Sequence, residues 1–238
     1  MKNNLQISLF LPAYNEEANI NKTIQDVDQI LKRITTDYEI LVVNDGSSDQ
    51  TGKFVRELAR NNSKIRMITH AKNRGYGGAF KSGLYGCRFP WIIQMDSDGQ
   101  FNFVQITKFL PLTKKADLIM GFRLDRSDSL YRRFMARILK LVDLLLFGLD
   151  VKDVDCGFKL FKKEIVDKIS RLKTESAITV TEFVVRAKNA KFRIAQVGVH
   201  HFSRKGGEQT GGKPGIIFKA AWQGILLWLY LLKEKIWK

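Results

Sequence analysis

Asp96 and Asp98 flank a single serine directly after the apolar run Trp91-Ile92-Ile93-Gln94-Met95. A short apolar run bounded by turn signals reads as a buried strand. The two carboxylates then stand just past its C-terminal end, the edge of an open α/β sheet at which ligands bind. Carboxylates one residue apart can both reach one hard cation, and a divalent ion held that way usually carries substrate phosphates. The same residues would also serve a polar turn, because Asp-Gly pairs such as Asp98-Gly99 are common turn formers.

Chemistry of that kind needs other strand ends nearby. Leu5 to Leu11 alternates as a strand and is closed by Pro12. The loop Pro12-Ala13-Tyr14-Asn15-Glu16-Glu17 leads to a helix with apolar residues at Ile20, Ile24, Val27, Ile30, Leu31 and Ile34. Tyr38 to Val43 predicts a second strand, ending in Asn44-Asp45-Gly46-Ser47-Ser48-Asp49. That Ser/Asp cluster caps a helix from Thr51 to Arg60. Ile65 to Thr69 is a third strand. The glycine-rich turn Asn73-Arg74-Gly75-Tyr76-Gly77-Gly78 opens a third helix ending near Gly86. Strands alternating with helices predict βαβ units and a mostly parallel sheet. Three strand ends then present Tyr14 with Glu16, Asp45, and Asp96 with Asp98 at one edge, which is a nucleotide-pocket arrangement. The glycine turn could cradle phosphate with backbone N–H groups; tight helix–strand packing would use the same glycines. It has neither dinucleotide-fingerprint nor Walker spacing.

With 238 residues, the chain is long enough for a full core. Cys87 and Cys156 provide no disulfide framework and no zinc spacing, in keeping with a reducing compartment. Met1-Lys2-Asn3-Asn4 leads straight into the first strand, so no signal peptide is expected. The formal charge is +16 and uneven: from Gly121 onward 24 Lys+Arg stand against 12 Asp+Glu, before it 16 against 12. A basic second half calls for an anionic partner. Zinc-finger spacing, an aromatic RNP-like strand and basic-zipper heptads are all absent, so nucleic acid is not the expected partner.

The motifs, in this order, identify the chain as resembling the family 2 glycosyltransferases of GT-A fold, most closely their polyprenyl-phosphate branch, typified by dolichol-phosphate mannose synthase. Leu11 to Glu16 is similar to the family's P-x-Y-N-E. Val43 to Thr51 is similar to D-D-G-S-x-D-x-T, with Asn44 in place of the first aspartate. Asn73 to Gly83 is similar to N-x-G-x-G-x-A-x-x-x-G, Met95 to Gln100 to M-D-A-D-x-Q, and Cys156 to Phe161 to the C/S-G-F-K/R segment. The resemblance implies a nucleotide-sugar donor, UDP- or GDP-linked, bound with Mg2+ or Mn2+. Pro12, Tyr14, Glu16 and Asp45 would hold base and ribose. Asp96, Asp98 and Gln100 would hold metal and diphosphate, with Asp96 also counted among the donor-binding residues.

In the second half, Phe103 to Lys114 predicts a helix and Asp117 to Gly121 a strand, followed by Arg123. Ser129 to Phe147 reads as a long apolar helix with a basic stripe, Arg133, Arg137 and Lys140. Such a helix is either a core helix with a solvated stripe or one lying at a membrane surface. The resemblance favours the membrane and places Arg123, Arg132 and Arg204 at the acceptor phosphate and Glu182 near the donor sugar; Ala136 replaces a frequent serine. Asp153-Val154-Asp155 could orient sugar hydroxyls or cap a turn. Gly157 to Phe161 returns a strand to the site edge, Thr179 to Ala190 is a helix, and Phe192 to Val199 is a strand ending at His200-His201. Adjacent strand residues alternate faces, so these histidines cannot easily share one metal. Gly206, Gly207, Gly211, Gly212 and Gly215 mark a loop able to close over substrate. Phe218 to Lys238 reads as a helix with Trp222, Ile225, Leu226, Leu229 and Leu232 on one face. Its apolar run is shorter than the roughly 20 residues of a spanning helix, so an interfacial or partner-docking helix is expected.

The expected architecture is a GT-A domain over residues 1–210, with a nucleotide-sugar half (1–121) and an acceptor half (122–210), followed by a loop and amphipathic helix (211–238). The expected activity is inverting transfer of a hexose-type sugar to a polyprenyl phosphate, with Asp98 and the three arginines as catalytic residues. The protein is expected to be peripheral at the cytoplasmic membrane face, bound to the membrane surface or to a membrane partner subunit. A saccharide acceptor in surface polysaccharide or glycan assembly is the enzymatic alternative. A non-enzymatic basic binding protein would explain the charge but not the clustered acids.

Overall fold

The computed structural model describes residues 5–124, 141, 143–176, 178–204 and 214–234. The strands are β1 (Gln6–Ala13), β2 (Asp37–Asn44), β3 (Ile65–Thr69), β4 (Trp91–Met95), β5 (Leu118–Arg123), β6 (Phe158–Lys162) and β7 (Ile194–Val199). The helices are α1 (Ile20–Ile34), α2 (Thr51–Asn61), α3 (Gly75–Gly86), α4 (Lys163–Lys168), α5 (Thr179–Asn189) and α6 (Pro214–Lys233). Residues 143–147 are also helical.

One seven-stranded sheet runs β3-β2-β1-β4-β6-β5-β7. Only β6 is reversed, antiparallel to both β4 and β5; the other pairings are parallel. The central strands β1, β2 and β4 are buried along nearly their whole length because helices cover both faces of the sheet. Ile7, Leu9 and Leu11 of β1 pack with Ile24, Val27 and Leu31 of α1. Phe10 points the other way, into a core with Phe80 of α3, Phe183 of α5 and Leu227 and Leu231 of α6. Phe10 and Phe80 meet edge to face at 5.6 Å, and Phe80 meets Phe183 at 5.8 Å, the favoured aromatic geometry. A Cβ on Gly83 would stand 2.2 Å from the Phe10 ring. This glycine therefore allows α3 to lie close on β1.

The strand expected to close at Pro12 runs on to Ala13, and other elements also differ in form or bounds from the sequence reading. Phe103 to Lys114 is two 3-10 helices, Phe103–Lys108 and Leu110–Lys114, not one α-helix. Pro111 stands at the start of the second, where its missing N–H and its ring prevent continuation of the first. The short α4 was not anticipated. The division at 121/122 falls inside β5, so both halves share one sheet. The C-terminal helix begins at Pro214, which takes Gly215 out of the expected loop. Arg132, Arg133, Ala136, Arg137 and Lys140, and Gly206, Gly207, Gly211 and Gly212, lie outside the described residues. No helix among the described residues is long and apolar enough to cross a membrane.

Candidate active site

The C-terminal ends of β1, β2 and β4 bring the expected acids to one edge. Parallel pairing sets Pro12 opposite Val43 and Ala13 opposite Asn44. The backbone N–H of Asp45 continues that ladder to the Ala13 carbonyl at 2.9 Å. Ser97 Oγ donates to the Pro12 carbonyl at 2.6 Å, tying the end of β4 to the end of β1. Tyr14 projects outward and is 42% exposed, as an aromatic platform for a base would be. Asp45 is buried, and its Oδ1 faces His70 Nδ1 at 2.5 Å and accepts the Arg74 N–H at 2.9 Å. Asn44, the residue that departs from the family motif, accepts the Ser47 N–H at 3.1 Å and so closes the turn itself.

Asp96 and Asp98 are half-buried. Burial first, and the like charge of Asp98 second, push the Asp96 carboxyl up to about 6; the Tyr76 hydrogen bond, Lys159 and Arg123 act in the opposite direction. Tyr76 Oη donates to Asp96 Oδ1 at 2.9 Å. A Cβ on Gly157 would lie 1.8 Å from Asp96 Oδ2, so the missing side chain makes room for this carboxylate. Two crowded carboxylates that repel each other are the donor set that a hard divalent cation relieves, and Asp96 and Asp98 fit Mg2+ or Mn2+. Gln100 is less committed to an ion. Its Nε2 donates to the Phe202 carbonyl at 2.9 Å, and the Phe202 N–H returns to the Gln100 carbonyl at 2.9 Å. Its Oε1 is the side chain's remaining acceptor.

Two of the three expected arginines are described, and each faces a carboxylate. Arg204 pairs with buried Glu16, which also accepts from Asn19 Nδ2 at 3.0 Å. Burial raises the Glu16 carboxyl; Asn19 and Arg204 lower it, and the charge of Asp98 raises it. Glu16 and Arg204 therefore adjoin the acid pair. Arg123 grips Asp153 with Nε at 2.7 Å and Nη2 at 2.9 Å. The first acid of the Asp153-Val154-Asp155 triplet thus holds an arginine, while Asp155 is exposed and its charge is felt by Tyr76 and Arg123. Fully buried Lys159 donates to the Cys156 carbonyl behind the acids.

Glu182 stands in the first turn of α5. It is fully buried and accepts from the Lys173 and Thr174 N–H groups, the Thr174 hydroxyl and Arg186. In this structure it fastens the 173–176 loop and makes no contact with the strand-end acids. That loop lies against α3, where a Cβ on Gly77 would meet the Ser176 backbone at 2.3 Å. His201 stacks edge-on to Phe101 at 5.0 Å, and the His200 backbone is paired by the Gln105 side chain at 2.7 and 2.9 Å. Tyr76 and His70 were not singled out in the sequence; their chemistry depends on partners distant in the chain.

The sheet order, the single reversed strand and the acids beyond β4 define a GT-A nucleotide-sugar transferase fold. Similar solved structures include glucosyl-3-phosphoglycerate synthase from Mycobacterium tuberculosis in complex with Mn2+, uridine diphosphate and glucosyl-3-phosphoglycerate. Its TM-score is 0.72 at 18% identity, over 94% of this chain and 80% of that one. Mannosyl-3-phosphoglycerate synthase from Rubrobacter xylanophilus gives a TM-score of 0.69 at 15% identity, over 97% and 75%. The model of glycosyl transferase family 2 matches residues 8–170, and the chain belongs to that family. Among similar sequences are the dolichyl-phosphate beta-glucosyltransferases of Homo sapiens, 32% identical over 216 residues (82% of this chain, 67% of that protein), and of Dictyostelium discoideum, 29% identical over 220 residues (83% and 66%). An undecaprenyl-phosphate 4-deoxy-4-formamido-L-arabinose transferase of Pseudomonas fluorescens is 25% identical over 204 residues (85% and 59%). The chain spans about two thirds of the length of the first two relatives.

Proposed function

We propose that this protein transfers a hexose-type sugar, with inversion, from a uridine diphosphate donor to a polyprenyl phosphate at a membrane surface. The observation that carries the reading is the convergence of Asp45, the Asp96/Asp98 pair and the Arg204–Glu16 pair at one sheet edge. The printed names of the similar sequences, dolichyl-phosphate and undecaprenyl-phosphate transferases, support the acceptor class.

Tyr14, Pro12 and Asp45 hold the nucleoside. Oδ1 of Asp45 already receives His70 and Arg74, and no described residue donates to Oδ2. One remaining oxygen matches the single imide N–H of uracil, whereas guanine presents two adjacent donors that call for both oxygens. Asp96 and Asp98 hold Mg2+ or Mn2+, with Gln100 Oε1 in reach as a third donor. The ion, when bound, neutralises charge that develops on the departing diphosphate. The acceptor phosphate is an anion at neutral pH and needs no strong base. The chain's work is then to position it for in-line attack. Arg123, Arg132 and Arg204 hold it. Arg123 keeps Nη1 outside its Asp153 contact, and that contact fixes the plane of the guanidinium.

The membrane reading is supported by exposed Trp222, Ile225, Leu226, Leu229 and Leu232 on α6, and by Leu141, Leu144 and Leu145. A basic chain with such a surface suits anionic lipid. The cytoplasmic face is part of this reading, in keeping with the free thiols of Cys87 and Cys156.

The test is transfer of radiolabel from UDP-sugars and GDP-sugars, with Mn2+ and polyprenyl phosphate in vesicles. A butanol-extractable product from a UDP-sugar supports the reading. A strictly water-soluble product would move the acceptor to a saccharide or another soluble molecule. Asp98→Ala is expected to abolish transfer with the fold intact. Near-normal turnover in that variant, with metal still required, overturns the metal assignment.

A further inference from the structure

His70 is the one buried histidine beside the acids of the nucleotide edge. It follows β3 directly, and its N–H donates to the Asn44 carbonyl at 2.9 Å, extending the β2–β3 ladder by one bond. That bond aims the ring between two partners. Nδ1 lies 2.5 Å from Asp45 Oδ1, and Nε2 lies 2.8 Å from Ser82 Oγ, on α3. A carboxylate can only accept, so Nδ1 carries the proton. Ser82 can donate or accept and satisfies Nε2 in either case. The three side chains form a line from α3, through the end of β3, to the end of β2.

The line constrains Asp45. An isolated aspartate rotates about its terminal torsion, whose preference is broad. Here the two lone pairs of Oδ1 are taken by His70 and by the Arg74 N–H at 2.9 Å. Rotation would break both bonds inside a buried site, where an unmet polar group is costly. Oδ2 is consequently held as a single fixed acceptor.

We propose that His70, backed by Ser82, is a positioning and specificity-determining residue: it locks the Asp45 carboxylate so that one oxygen, and only one, is offered to the donor base. The proposal rests on the reading of Asp45 as the base-binding residue. Without His70, Oδ1 regains a free lone pair and the carboxylate can turn. Affinity for uracil, with one donor, falls. The disadvantage of guanine, with two, shrinks.

The test is calorimetric binding to the full chain, with Mn2+ and three probes: UDP, GDP and pyrophosphate, which has no base. For His70→Ala, UDP binding is expected to weaken roughly tenfold, the span of one hydrogen bond to a charged group. The UDP-to-GDP preference should narrow, and pyrophosphate binding should not change. His70→Asn, which returns an N–H near the Nδ1 position, is expected to recover most of the UDP affinity. Equal weakening of UDP and pyrophosphate would make His70 merely structural and overturn the proposal, as would unchanged UDP binding. If His70→Ala does not fold, Ser82→Ala is read in the same way, with a smaller loss of UDP affinity expected and an unchanged one overturning the proposal. A wild type that binds pyrophosphate but not UDP overturns the base assignment of Asp45, and the role of His70 with it. A wild type that binds UDP while His70→Ala binds it equally well overturns the His70 proposal alone.

Discussion

The Tyr76 hydroxyl donates to Asp96 Oδ1 at 2.9 Å and accepts from Gln94 Nε2 at 2.6 Å. The phenol therefore joins the glycine turn at the start of α3 directly to the carboxylate after β4, and a side chain of β4 holds the phenol in turn. Tyr76→Phe keeps the ring and removes both bonds. Its affinity for Mn2+ with UDP is expected to fall about ten- to a hundredfold, as one lost bond to a charged group predicts, and Tm should drop as well, because the buried Gln94 amide loses its hydrogen bond. Titration calorimetry and a melting curve check this; undiminished affinity would show that Asp96 is placed without Tyr76.

Gly157→Ala tests the space beneath the acids. The added methyl would meet Asp96 Oδ2 at 1.8 Å and Cγ at 2.1 Å. Either the carboxylate leaves its position or the end of β6 shifts. Overpacking of this kind costs about 1–3 kcal/mol, and Mn2+ binding should be lost with it. A folded Gly157→Ala protein with wild-type Mn2+ affinity would mean that Asp96 does not need this position to bind the ion.

Asp143 gives a pH dependence. Burial, and secondly the charge of Asp155, push its carboxyl up to about 7. Between the unfolded value near 4 and about 7, the unfolded chain releases this proton first. Stability therefore falls as pH rises through that window and is flat for this group above it. Asp143→Asn removes the penalty. It should stabilise the protein by about 1–3 kcal/mol at pH 8 and by almost nothing at pH 4. Denaturant unfolding at the two pH values checks the sign; equal effects at both would remove ionisation as the cause.

Arg186 is buried and bonds to Glu182 at 2.9 Å and to Glu234 at 2.9 Å. It joins α5 to the C-terminal end of α6. Arg186→Met leaves Glu182 without its cation and is expected to cost about 3 kcal/mol, the usual loss when one member of a buried pair is removed. Thermal unfolding measures it. A Tm within a degree of wild type would show that the three other donors to Glu182, the Lys173 and Thr174 N–H groups and the Thr174 hydroxyl, suffice.

The sheet was legible because β1, β2 and β4 are apolar on both faces and end in turn residues. Their register at the site follows from parallel pairing, so Tyr14, Glu16, Asp45, Asp96 and Asp98 could be grouped from sequence. The partners of those residues could not. Glu16 and Arg204 stand at opposite ends of the chain, and Arg123 finds Asp153, in a triplet read either as orienting sugar hydroxyls or as capping a turn, across a segment read as a long helix. Glu182 was named through the family resemblance alone, and its hydrogen bonds to the 173–174 backbone could not be read from the sequence. The helix expected over Phe103 to Lys114 had the right apolar residues and failed at Pro111. The six-residue α4 is too short to show a period.

The reversed strand also orders events in time. β5 pairs only with β6 and β7, both made later in the chain. As the chain emerges from the ribosome, β1 to β4 can pair as they appear, but β5 must wait unpaired for β6 to be threaded in beside β4. Gly157, which makes room for Asp96, arrives with that same strand. The Asp96 N–H bonds to the Gly157 carbonyl at 3.1 Å, so the backbone that carries this acid gains its last partner only when β6 stands beside β4.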